Sequence, residues 1–291
     1  MKRYLDITNY EVTKLESDDF GFNCFSFTGA ETFPHWHTHI EIIFISSGVT
    51  WVYVNGEKFT CGQGDIIFVP SNSLHSIIPQ KNSTYKPIII GELLLNQILA
   101  DQHCHSTMAP FMGHDGFTRL HITPEHVHYL EYHSALQQIF REHNSKLMEY
   151  RTMIKLEIIK LFALLKRHHS QIHEPFSFMQ SEKTQVIINV LDYISAHYSE
   201  KVTVKAMSQF CCMSEQHFCR TFKAYTGKTL IEFITLLRLE KSYRIIQGTD
   251  IPITHVPELT GFCNVSYFSR VFKKKYGLAP SQLRKMCGSQ S

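Results

Sequence analysis

No stretch of this sequence is apolar for long enough to cross a bilayer. Runs such as Leu161–Leu165 fall far short of the roughly 20 residues that a spanning helix needs. The opening residues, MKRYLDITNYEV, carry charges and no apolar core, so a secretory leader is not expected there. No C-x-x-C pair occurs among the eight cysteines, and Cys211 and Cys212 are adjacent. That scatter suits reduced thiols in a cytoplasm and argues against a disulfide framework. The Gly-Lys-Thr of residues 227–229 lacks the upstream glycine of a phosphate-binding loop, which removes that route to nucleotide binding. What remains is a chain of 291 residues, 43% hydrophobic and 19% charged, long enough for two soluble domains with separate cores.

The net charge of +3 conceals two halves of opposite sign. Residues 181–291 hold 15 Lys/Arg against 8 Asp/Glu, while 15 of the 18 histidines precede residue 181. An acidic, histidine-rich half is therefore joined to a basic half, and basic character favours association with nucleic acid. From about Phe20 to Leu95 the pattern is strand-like. Short β-branched and aromatic runs (FNCFSF, EIIFIS, TWVYV, DIIFV) alternate with turn signals at Ser47-Gly48, Asn55-Gly56, Gly62-Gln63-Gly64 and Pro70-Ser71-Asn72. Many short strands at this spacing predict a sandwich or small barrel, with a hairpin at Asn55-Gly56.

Beyond Leu95 the period changes. Thr123-Pro124-Glu125 reads as a helix start, which predicts helices over 124–143 and 147–168. Ile154, Ile158, Leu161 and Leu165 form an apolar stripe that either packs on the strand domain or serves as a homodimer face. Residues 170–182 lack periodicity and read as a linker. Further on, Ile187, Val190, Leu191, Ile194 and Tyr198 mark one buried helical face.

Two segments offset by 50 residues repeat each other: SEQHFCRTFKAYTG (214–227) and NVSYFSRVFKKKYG (264–277). Ser214 and Asn264 are N-cap residues, Phe218/Phe222 and Phe268/Phe272 are i, i+4 apolar pairs, and a glycine closes each helix. Each segment follows a short helical pattern and a tight turn, the helix-turn-helix plan. GFCNVSYFSRVFKKKYGLAPSQLRK (261–285) closely resembles the signature of AraC/XylS bacterial transcription regulators, and the likeness extends over about residues 184–286. It implies two helix-turn-helix units joined by a long helix, here Leu230 to Gln247, about 27 Å at roughly 1.5 Å per residue. Two recognition helices could then enter major-groove segments about 34 Å apart on one face of double-stranded DNA. By motif position Gln216, Cys219, Arg220, Val265, Ser266, Ser269 and Arg270 would face bases. Lys223, Lys228, Lys273, Lys274 and Arg284 would meet phosphates. Two departures stand out. Cys219 replaces a longer polar residue, and Pro257 occupies the first helix of the second unit, where an internal proline would bend it.

The stretch PHWHTHIE (34–41) gathers three histidines and a glutamate. His35, His37, Glu41 and Gly48 fit the H-x-H-x3-E-x6-G pattern of a cupin barrel. Gly64, Pro70 and His75 resemble its second motif, with Asn72 and Pro79 as departures. Residues two apart on a strand project to one side, so His35, His37 and Glu41, with His39 to spare, would share a face that His75 completes. Three imidazoles and a carboxylate suit a divalent transition metal such as Zn, Fe, Ni or Mn. The same groups could instead hydrogen-bond a ligand's hydroxyls, with Trp51 and Tyr53 stacking on a sugar ring. His103, Cys104, His105 and His114 form a second cluster in a loop-like region, where surface roles are the expectation.

These readings combine into an α+β protein. A cupin-like sensing domain spans 1–120, a helical connector 121–175, and an AraC-type DNA-binding domain 176–291. The resemblance implies a cytoplasmic transcription regulator, an activator that responds to a sugar or sugar derivative, binds promoter DNA and recruits RNA polymerase, with no catalysis of its own. The rival is a metal-dependent cupin enzyme fused to a DNA-binding module. A third reading has the N-terminal half bind another protein.

Overall fold

The computed structural model describes residues 19–112, 120–168 and 182–288. The chain divides into two compact units, residues 1–185 and 186–291, so the helices read as a connector fall within the first unit beside the strands.

That unit contains β1 (Phe22–Cys24), β2 (Phe27–Thr28), β3 (Ile40–Ser47), β4 (Thr50–Val54), β5 (Glu57–Cys61), β6 (Ile66–Val69), β7 (His75–Pro79), β8 (Thr84–Ile90) and β9 (His121–Ile122). One sheet runs β1-β8-β3-β6-β9 with β2 also on β8, and the other runs β5-β4-β7. Every pairing is antiparallel. Asn55 and Gly56 both take positive φ, 47° and 86°, the primed turn that matches strand twist in a two-residue hairpin.

β3 is covered on both faces, which is why it reads as a nearly unbroken apolar run. Ile40, Ile42 and Phe44 pack against the helical layer. Ile43 and Ile45 pack with Val52, Val54, Ile67, Val69 and Ile77 between the two sheets. Glu41 is the one charged residue of the strand, and alternation puts it on the inter-sheet side with Ile43 and Ile45.

The helical layer consists of α1 (Glu92–Leu99), α2 (Gln102–Met112), α3 (Tyr129–Ser145) and α4 (Tyr150–His168). Of the two alternatives for the α4 stripe, the first holds. Ile154, Ile158, Leu161 and Leu165 are fully buried in the cluster that contains Ile42 and Phe68. α3 begins five residues later than its sequence signal. Thr123 accepts the His126 N–H and His126 the Tyr129 N–H, so residues 124–128 form turns held against the Gly62–Gly64 bend, where the Tyr129 hydroxyl donates to the Gly64 carbonyl at 2.8 Å. α4 starts three residues later than expected, because Lys146 and Glu149 adopt left-handed φ of 46° and 64°. His103, Cys104 and His105 lie on α2 and not in a loop, with Asp101 capping the Cys104 N–H; His114 lies outside the described residues.

The second unit is helical: most of α5 (Glu182–Ala196), whose first turn precedes the boundary, then α6 (Val204–Phe210), α7 (Glu215–Thr226), α8 (Leu230–Gly248), α9 (Val256–Leu259), α10 (Val265–Tyr276) and α11 (Pro280–Gly288). Ile187, Val190, Leu191 and Ile194 are fully buried on α5. Tyr198 lies past its end, and its carbonyl accepts from Arg238 Nε at 2.6 Å. Pro257 does not bend a helix. It sits in the first turn of α9, where a backbone N–H has no intrahelical acceptor in any case. No helix among the described residues is long and apolar enough to cross a membrane.

Candidate functional site

His35, His37, Glu41 and His75 converge in the first unit. Each is at most 1% exposed, and one donor atom from each lies within 4.8 Å of the others. Strand alternation does not assemble them. Only His35 and Trp36 of that stretch make bridges, and residues 38–39 bend into β3. Instead His35 pairs antiparallel with His75, the two exchanging backbone hydrogen bonds of 3.0 and 2.9 Å. The His37 carbonyl accepts the Asn72 N–H at 2.7 Å. Asn72 stands at φ +58°, a left-handed conformation that asparagine tolerates, which accounts for asparagine at a position where the cupin pattern has glycine. His39 stacks on His37 at 5.4 Å and is not one of the converging donors.

The protons of this cluster are fixed by its backbone. Nδ1 of His35, His37 and His75 each faces a carbonyl oxygen, those of Phe33 (2.7 Å), His39 (3.1 Å) and Ser73 (2.8 Å). A carbonyl only accepts, so each Nδ1 carries the hydrogen and each Nε2 is the nitrogen turned to the centre of the cluster. Nε2 of His37 and His75 lie 3.2 and 3.1 Å from the same oxygen, Glu41 Oε2. Burial lowers the His75 pKa, and His35 lowers it further, against the opposing pull of Glu41. Neutral imidazoles would point lone pairs at a carboxylate. The arrangement therefore calls for positive charge between them, either an extra proton or a bound cation. Orientation of imidazole by a carbonyl on its far nitrogen is the arrangement that metal-binding histidines use. The donor set fits a divalent transition metal.

Trp51 and Tyr53 do not join this cluster. Val52 and Val54 of β4 pack between the sheets, so alternation sends Trp51 and Tyr53 to the opposite face. There Lys58 Nζ sits 3.6 Å over the Trp51 ring. Grouping the two aromatics with the histidines is corrected on that ground.

In the second unit, α7 and α10 repeat each other in atomic detail. The Ser214 hydroxyl accepts the His217 N–H at 3.2 Å, and Asn264 Oδ1 accepts the Tyr267 N–H at 2.9 Å. Both helices are 12 residues long and end at glycines with φ of 71° and 74°. Phe218, Phe222, Phe268 and Phe272 are buried. Gln216, Cys219, Arg220 and Lys223 are exposed on α7; Val265, Ser266, Arg270, Lys273 and Lys274 are exposed on α10, with Ser269 half-buried. Tyr267 escaped the sequence reading. It is exposed, and the Arg270 guanidinium lies 5.6 Å from its ring centre, an i, i+3 pairing that the helix period could have flagged. Arg284 is not a free phosphate contact. Its Nε and Nη2 donate to the carbonyls of Ile246 and Ile251 at 2.9 and 2.8 Å, closing the C-terminal end of α8.

Comparison with known proteins agrees with this division. Residues 25–173 match the AraC-like ligand binding domain family, and residues 207–286 match a helix-turn-helix domain family. The HTH-type transcriptional regulator YdeC of Bacillus subtilis is 24% identical over 254 residues, covering 87% of this chain and 86% of that protein. The HTH-type transcriptional activator RhaS of Escherichia fergusonii is 23% identical over 259 residues, covering 87% of each. Among solved structures, ToxT from Vibrio cholerae covers 91% of this chain and 98% of its own, at 15% identity and a TM-score of 0.39.

Proposed function

Since the chain belongs to the AraC family of transcription regulators, with a ligand-binding domain ahead of its helix-turn-helix domain, we propose that it is an effector-responsive activator of transcription. In this reading α7 and α10 enter successive major-groove segments of promoter DNA. Gln216, Arg220, Ser266 and Arg270 read base edges, while Lys223, Lys273 and Lys274 set the register on phosphates. The observation that carries the proposal is the twinning of α7 and α10: two capped, glycine-terminated helices in one unit, each with a buried Phe pair and an exposed Arg/Lys face. RhaS is named an activator, which supports that direction of control and, with it, contact with RNA polymerase.

The effector seat in this reading is the interior at His35, His37, Glu41 and His75, where imidazoles and a carboxylate suit a hydroxyl-rich small molecule such as a sugar derivative. The same four residues would hold a divalent transition metal, which when bound supplies a Lewis-acid seat for an oxygen-bearing effector. The donor set also favours a second reading, a metal-dependent enzyme carried on a DNA-binding module, which a turnover assay of the metal-loaded protein separates from the first. Met153 and Leu156 are exposed on α4 and would provide apolar area for homodimer contact.

The test is fluorescence anisotropy of the full chain on fragments of its own promoter region, with salt titration and a panel of sugars. Salt-sensitive binding to one fragment, altered by one effector, is the expected result. Equal affinity for every fragment at every salt concentration would sink the proposal.

A further inference from the structure

A second group of donors lies outside the barrel interior, on the hairpin of α3 and α4. His128 immediately precedes α3, Glu131 stands in its first turn, and His168 ends α4. The hairpin closes through residues 146–149, so the first turn of one helix meets the last turn of the other. The imidazoles of His128 and His168 stack face to face, with centres 3.5 Å apart and planes 13° from parallel. Both address one carboxylate: Glu131 Oε1 is 3.1 Å from His128 Nδ1 and 3.9 Å from His168 Nε2. The donor atoms of all three residues lie within 4.8 Å of one another.

Two features give this group the character of a site. Tyr132, fully buried, holds His168 Nδ1 through its hydroxyl at 3.2 Å, which fixes that ring with Nε2 toward Glu131. One compact dication between the two rings and the carboxylate would satisfy both nitrogens and Glu131 together. Metal–ligand distances of about 2.0–2.2 Å place neighbouring donors of a tetrahedral site roughly 3.3–3.5 Å apart, and 3.1 and 3.9 Å straddle that spacing. Imidazole lone pairs lie in the ring plane, so the rings share an ion once the more exposed His128 swings out of the stack while His168 stays on Tyr132. His126 is not a ligand, because its Nδ1 already accepts the His128 N–H at 3.2 Å. The side chains of His128 and Glu131 are 36% and 46% exposed, leaving the remaining position to water and the metal free to exchange.

We propose that His128, Glu131 and His168 form an exchangeable site for a borderline divalent cation of the zinc class, clamping the first turn of α3 to the last turn of α4. In the chain His168 precedes α5 by fourteen residues, so a metal here tightens the end of the first unit that leads toward the DNA-binding unit. The site is independent of the effector seat proposed above, and its failure leaves that reading untouched.

The experiment is Co2+ and Zn2+ titration of the metal-stripped full chain, followed by visible absorption and calorimetry, in wild type, Glu131→Gln, His168→Ala and Glu41→Gln. Glu131 is half exposed, so Glu131→Gln preserves folding where loss of the Tyr132 partner in His168→Ala could disturb it. The expected result is that Glu131→Gln loses one equivalent, or binds it at least about tenfold more weakly, with an unchanged metal-free melting temperature. Glu41→Gln keeps that equivalent and its metal-induced rise in melting temperature. Identical stoichiometry and affinity in wild type and Glu131→Gln would overturn the proposal, as would the absence of any saturable binding to wild type.

Discussion

His35 and His75 exchange both of their backbone hydrogen bonds, and this single antiparallel bridge brings their rings to 4.2 Å. The bridge ties a stretch with little regular structure to β7 and sets His75 beside Glu41, whose Oε2 lies 3.2 and 3.1 Å from Nε2 of His37 and His75. A neutral amide in place of Glu41 removes the negative charge that draws a cation to the cluster while keeping the side chain's size. Glu41→Gln is therefore expected to lose the transition metal proposed for the barrel interior, measured by metal analysis of dialysed full-length protein. Unchanged metal content would place the cation elsewhere.

A pH-dependent prediction comes from α8. The Glu232 carboxyl accepts the Thr229 N–H and the Thr229 hydroxyl, each at 2.8 Å, and these bonds hold its pKa below the usual carboxylate value. A carboxyl depressed in the folded state adds stability that is present above its unfolded pKa and lost as pH falls through the folded one. Wild-type melting temperature should thus fall more steeply below about pH 4.3 than that of Glu232→Gln. Parallel acid profiles would rule out this role. Thr229→Ala, which removes the other half of the capping box, should cost about 1 kcal/mol in denaturant unfolding.

How far the sequence disclosed all this depends on how local each cause is. The strand runs, the Asn55-Gly56 turn and the twin helices were legible because alternation, turn chemistry and capping act within a few residues. The start of α3 was not, because Tyr129 and Pro124 are held by Gly64, some 60 residues away. Trp51 and Tyr53 were misassigned because a strand's pattern reveals two faces without saying which one meets the second sheet. Arg284 looked like a phosphate contact because its true partners, the carbonyls of Ile246 and Ile251, lie 38 and 33 residues upstream. Membership of the histidine cluster was legible from spacing, but its assembly through a β-bridge and a left-handed Asn72 was not.

Gly261 offers a test of the turn between α9 and α10. Its φ is +80°, and a Cβ there would collide with the backbone of Ser199, its carbonyl oxygen first. Both the conformation and the close approach demand glycine. Gly261→Ala should destabilise the protein by more than about 1 kcal/mol, seen as a lower denaturant midpoint at constant slope. A neutral effect would mean that the turn relaxes freely.

The two arginines near α10 separate recognition from support. Arg270 is exposed beside Tyr267 on the face opposite Phe268 and Phe272, whereas Arg284 is committed to two backbone carbonyls. Arg270→Ala should therefore cost roughly 1–3 kcal/mol on the preferred site and relax preference at one base pair, with folding stability unchanged. Lys273→Ala should weaken binding to all sequences alike and reduce the salt slope by about 1. Arg284→Ala should do the converse of Arg270→Ala. Removing hydrogen bonds from a charged donor to carbonyls costs on the order of 1.5–3 kcal/mol of stability, and its DNA preference should be kept wherever the domain remains folded. Anisotropy on matched and single-mismatch duplexes, paired with urea unfolding of each variant, distinguishes the three. If Arg284→Ala changed base preference at full stability, the division of labour between these arginines would be wrong, and α11 would have to be counted among the elements that read DNA.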